Sequence, residues 1–180
     1  MNPTLLLACG SLVLSSAPLL VRASSVGPTA TGAYRCLLAV PMIALWLLAR
    51  RQSLLPVGAG RRYWTSVIGA GTVFACDLGL WHRAIHFAGP GLATVLANTQ
   101  VFFTGAFGVL FFGERAGRRF WLSTLGAFGG MAALVWRVGA APTVAEGSRY
   151  WAGVGMGIVA AFCYSLFIIL LRRSAVPAGF

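Results

Sequence analysis

The chain has 180 residues and no lysine, and its only acids are Asp77, Glu114 and Glu146. Its 14 basic residues are therefore all arginine, and charged residues make up 9% of the whole. A soluble domain carries about 25%. With 58% hydrophobic residues and a mean hydropathy of +0.82, a fold in water would expose more apolar surface than it hides. Three scattered acids offer no paired carboxylates for acid–base chemistry. Two histidines and the four cysteines, Cys9, Cys36, Cys76 and Cys163, form no C-x-x-C pair and no metal-spaced cluster. No enzyme, metal or cofactor is expected, and no nucleotide-binding motif suggests ATP-driven pumping. The net charge of +11 does not mark a nucleic-acid partner, because the arginines lie between apolar runs and not on one polar face.

What the chain has instead is six apolar runs, at about 4–21, 30–49, 64–85, 91–112, 119–138 and 151–171. Spanning a bilayer takes roughly 20 apolar residues. In hydrocarbon every backbone amide must be paired internally, so each run is expected to be a helix. The short alternating segments of a membrane barrel do not occur. The expected fold is all-α, a polytopic bundle of about six helices in contact with the lipid bilayer. Pro18 makes the end of the first run the hardest to place. "LLAC" at Leu6–Cys9 lacks the basic lead of a lipoprotein signal. The cysteines read as small apolar fillers.

The arginines set an orientation. Arg50, Arg51, Arg61, Arg62, Arg115, Arg118, Arg119, Arg172 and Arg173 fall on one side, against Arg22, Arg83, Arg137 and Arg149 near the other. Positive short loops mark the cytoplasm, which predicts cytoplasmic N- and C-termini in an inner membrane. "GERAGRR" is then a tight cytoplasmic turn. Glu114 closes a helix whose dipole disfavours it, so it is expected to pair with Arg115, Arg118 or the start of the next helix.

"AIHFAGPGLATVLANTQVFFTGAFGVLFFGER" followed by "WLSTLGAFGGMAALV" resembles the EamA-type family of the drug/metabolite transporter superfamily, as does Arg35 in "GAYRCLLAVP". The resemblance implies two inverted five-helix repeats. Residues 1–142 would be one full repeat, and 143–180 the first helix of a second, truncated one. Ser15, Leu20, Arg22, Ser24 and Val26 recur 150 residues on as Ser165, Leu170, Arg172, Ser174 and Val176. Where the family's fourth helix usually has a proline, this chain has Gln100, which predicts a straighter, more polar helix.

Polar groups deep in a membrane are costly and rarely face lipid. Asp77 and Trp81 are four apart and share a helix face. With His82, Asn98, Gln100 and Thr104 they are the substrate-path candidates. Interhelical hydrogen bonding is the plain alternative for Asn98 and Gln100, and solvation at the outer interface for the two histidines. The glycines of the Thr94–Asn98–Val101–Gly105–Gly108 stripe, and of "GAFGG" and "GVGMG", read as packing seams. Arg35 and Asp77, at similar depth, are expected to form an ion pair or share a polar cluster, as a clamp or a gate. The function expected is secondary transport of a small metabolite or drug-like compound, as export. A half-transporter subunit without transport of its own, working as a homo-oligomer or with the missing second repeat, is the alternative.

Overall fold

A computed structural model describes residues 3–52, 60–139 and 147–174. Among the described residues all regular structure is helical: α1 (Pro3–Ala23), α2 (Pro28–Ala49), α3 (Arg61–Ala88), α4 (Pro90–Ala97), α5 (Gln100–Phe112), α6 (Arg118–Gly139) and α7 (Gly147–Ser174). α4 and α5 are two parts of one apolar run, so the six runs correspond to six helical stretches among the described residues. Val176 of the recurring pair lies outside the described residues.

Local chemistry sets the ends. Pro28 and Pro90 sit in first turns, where a missing N–H costs no hydrogen bond. α1 runs through Pro18 to Ala23, longer than the apolar run. Gly89 alone joins α3 to α4, with φ 88° and its N–H donated to Ile85 O. A side chain would be strained in that conformation. Gly113 closes α5 at φ 64°, and the Glu114 N–H reaches back to Gly108 O at 3.1 Å. A left-handed glycine after the last helical residue is a common helix ending, and here it lets the chain satisfy an end carbonyl of α5.

Four spans are long and apolar enough to cross a bilayer by composition alone: Thr4–Ala23, Pro28–Ala49, Pro90–Phe112 and Gly147–Ser174. α3 and α6 fall short on composition but pack against these spans. α3 lies antiparallel on α7, with Leu170 beside Gly69 at one end and Phe87 and Ala88 against Gly153 at the other. Phe74 and Phe167 stack between, with centroids 4.7 Å apart. α6 runs back along α5 and α4 through the Phe102–Phe128 pair (4.3 Å) and a buried cluster of Leu92, Leu96, Val135, Tyr150 and Val154.

Two ends of the bundle follow. At the His86 end, Arg22 Nη1 donates to His86 O (3.0 Å), Arg83 Nη2 to Thr29 Oγ1 (3.2 Å), and Tyr150 OH to Val135 O (2.7 Å). This end gathers the last turns of α1, α3 and α6 with the first turns of α2 and α7. At the Glu114 end the last turns of α5 and α7 meet. α1 and α7 therefore run in opposite directions.

The "GVGMG" seam is real: Gly153 meets α3, and Gly157 meets Leu96. The "GAFGG" seam is not formed. Gly126, Gly129 and Gly130 have open space where a side chain would be, because α6 turns that face away from α5 and α7. Cys9, Cys36 and Cys76 are exposed and Cys163 half-buried, so only the last fills an interior gap.

Candidate functional site

The fourth span is where the expectation of a straight helix fails. At Asn98 and Thr99 the backbone hydrogen bonds shorten to three-residue spacing: Thr99 N–H to Leu96 O, Val101 to Asn98, Phe102 to Thr99. Thr99 Oγ1 adds a 2.6 Å bond to Leu96 O. Short polar side chains that bond their own backbone compete with the helix ladder, so a break forms here without proline. Ser165 Oγ, fully buried on α7, donates to Gln100 O at 2.9 Å and ties α7 to the break.

The break borders a cavity of about 350 Å³. α1 contributes Leu14 and Pro18; α2, Arg35; α3, Phe74, Asp77 and Trp81; the broken span, Thr94, Asn98 and Gln100; and α7, Tyr164. At 1.5 Å per residue, Asn98 lies about 12 Å from Pro90 and Asp77 about 16 Å from Ala88, so both are near mid-membrane depth. A second cavity, of about 710 Å³, runs along α1 and α4 and shares Leu14, Pro18, Thr94 and Asn98 with the first. Ser11 and Ser15 line it from α1.

Of the residues singled out from sequence, Asp77, Trp81, Asn98, Gln100 and Arg35 meet at this one cavity. Asp77 is 7% exposed. Arg35 and Asp77 line the same cavity without a direct salt bridge, unlike Glu114 and Arg172. His82 and Thr104 are not part of the lining. His82 is completely buried, not solvated at an interface. Its Nδ1 lies 2.6 Å from Leu78 O, and a carbonyl only accepts, so Nδ1 carries the proton. Nε2 has no partner. Gly32 of α2 lies against the ring, at a distance where even a Cβ would make ordinary contact, 3.6 Å. Thr104 Oγ1 is also buried without a partner.

Glu114 pairs with neither Arg115 nor Arg118, both exposed. It bonds Arg172 at the end of α7, 2.8 Å away. Its carboxylate folds over Gly108, where a Cβ would lie 2.5 Å from Oε2. Arg172 and Arg173 also sit over the rings of Phe112 and Phe111, at 4.2 and 5.6 Å. The partner is a cation from α7, because the turn at Gly113 folds the side chain back over Gly108 and not into the loop.

Sequence reasoning missed Tyr164 and Phe74. Tyr164 carries a signal, a phenol within "AAFCYSLFII".

A polytopic helical bundle with charged and amide groups at mid-depth, beside an interrupted helix, has the build of a membrane carrier. The chain belongs to the EamA-like transporter family, whose sequence profile matches residues 2–136. The match covers α1 to α5 and most of α6. Comparison with curated proteins and with solved structures gave no match.

Proposed function

We propose that the chain serves the secondary export of a small metabolite or drug-like compound, by alternating access around the cavity at Asn98–Thr99. The observation that carries this reading is the interrupted span with Arg35, Asp77, Asn98 and Gln100 gathered beside it. Non-helical backbone at membrane depth is tolerated where it borders a cavity, and carriers use such breaks to bind their cargo. The opposed courses of α1 and α7 support reading 1–142 as one repeat and the residues from 143 as the start of an inverted second one. In this reading the Glu114 end and both termini face the cytoplasm across the cell's inner membrane. The test is flux. Proteoliposomes of the purified chain are loaded with a compound panel and given an ion gradient. Gradient-dependent release, diminished in Asn98→Ala, is expected; release no faster than from protein-free liposomes overturns the reading.

One observation favours a subunit without transport of its own. α2 leaves Leu37, Leu38, Met42, Leu45 and Trp46 exposed, and the Gly126–Gly130 face of α6 is open. Under this second reading, release appears only when a partner or a second copy is reconstituted with the chain.

A further inference from the structure

The Glu114 end is the charged end of the bundle. Nine exposed arginines belong to it, at the close of α2 and α7, the start of α3 and α6, and the turn after α5. One acid stands against them. Of the chain's three acids, Asp77 lies at mid-depth, and Glu146 comes just before Gly147, the first residue of α7. Glu114 bonds Arg172. The next residue, Arg173, holds its guanidinium 5.6 Å from the centre of the exposed Phe111 ring. A ring answers a cation weakly at an exposed site, and it offers no oxygen to the forked donors of arginine.

Beneath Arg173 the seam between α5 and α7 is aromatic. Phe111 lies 5.6 Å from Phe107, and Phe107 lies 5.7 Å from Phe162 of α7, whose ring is again exposed. Phe107 is one turn deeper than Phe111, about 6 Å along the helix. Apolar surface thus leads from the arginine toward the interior of the bilayer. An occupant that fits is anionic at one end and apolar below it. A free phosphate answers the arginine alone. A lipid whose phosphate is balanced by choline brings a further cation to an end already crowded with them.

We propose that this seam binds an anionic phospholipid, its phosphate on Arg173 and one acyl chain along Phe111, Phe107 and Phe162. None of these four residues lines the cavity beside Asn98, and the proposal does not depend on transport. The guanidinium fork matches two oxygens of a phosphate. The rings give the chain a fixed bed where lipid would otherwise exchange freely.

The experiment uses the purified full chain in a neutral detergent, with bound lipid counted by native mass spectrometry during titration. The lipids are dioleoylphosphatidylglycerol and dioleoylphosphatidylcholine. One phosphatidylglycerol should bind about tenfold tighter than phosphatidylcholine, the scale of a charged hydrogen bond made or lost. Arg173→Gln should remove that preference, and Phe111→Ala should weaken both lipids. Arg118→Gln makes the same charge change at the same end and should leave the preference intact. Arg173→Lys keeps the charge without the fork; it should show a reduced preference, and it serves if Arg173→Gln does not fold. Equal binding of the two lipids overturns the proposal. An equal loss in Arg118→Gln and Arg173→Gln overturns it too, since the attraction is then spread over the whole end. Glycerol 3-phosphate carries the anion without the acyl chains. If it displaces phosphatidylglycerol at comparable concentration, the site takes a free anion and the lipid assignment is wrong.

Discussion

Adding one methyl group at Gly153 tests the packing on which the site depends. A Cβ there would lie 2.7 Å from Phe87 Cβ and 2.9 Å from the Ala88 backbone nitrogen. Ordinary contact begins at 3.4 Å, so the helices must part by about 0.7 Å at that point (3.4 less 2.7). A flexible side chain would swing away, but Ala88 nitrogen is backbone in the last turn of α3, held by the Gly89 joint. Overpacking of this kind costs about 1–3 kcal/mol. Alanine's advantage over glycine within a helix, about 0.5–1 kcal/mol, offsets part of it. Gly155, two residues on, has nothing within 4 Å, so Gly155→Ala keeps the advantage without the clash. Gly153→Ala should therefore lower, and Gly155→Ala slightly raise, the midpoint of thermal unfolding in detergent. The scale is about 2–4 °C per kcal/mol for a chain of this length. Size-exclusion profiles after graded heating report it. Equal midpoints, or a more stable Gly153→Ala, would refute the antiparallel seating of α7 on α3.

Glu114→Gln should cost no more than about 1 kcal/mol, because both partners of the salt bridge are 51% exposed; a larger fall in thermal midpoint would show that the pair is shielded. Arg35→Ala and Asp77→Ala should be non-additive in folded yield, with the double variant losing less than the sum of the two singles. Simple additivity would mean that the two do not share an environment. A periplasm-active reporter inserted near Ala145, outside the described residues, should be active, and one in the Gly113–Gly117 connection silent. The reverse pattern would invert the orientation.

The crossings were legible because bilayer thickness fixes the length of an apolar run, and arginines, prolines and glycines mark its ends. The site was half legible. Asp77, Arg35, Asn98 and Gln100 stood out as polar groups where polarity is costly, and that same cost gathers them at a cavity. What escaped depended on distant partners. The Arg172 partner of Glu114 belongs to the last helix, and nothing local distinguishes it from Arg115 or Arg118. His82 looked interfacial by its place in α3, but it is fully buried, with Gly32 of another helix packed against its ring. The break at Asn98–Thr99 was missed because the lack of a proline was taken as the lack of a break. Competition from the Thr99 hydroxyl is enough to make one.

The joint at Gly89 has a consequence for how the protein is made. With one residue between α3 and α4, the nascent chain has no loop to hold on the far side while the second helix waits. The two must enter the bilayer together, as a hairpin. α3 carries Asp77 and Arg83 and fails the apolar threshold for crossing alone; Pro90–Phe112 passes it. The apolar partner thus draws the polar one through the insertion machinery. Lengthening the joint with a polar spacer should strand α3, even though every residue of the finished cavity would be unchanged.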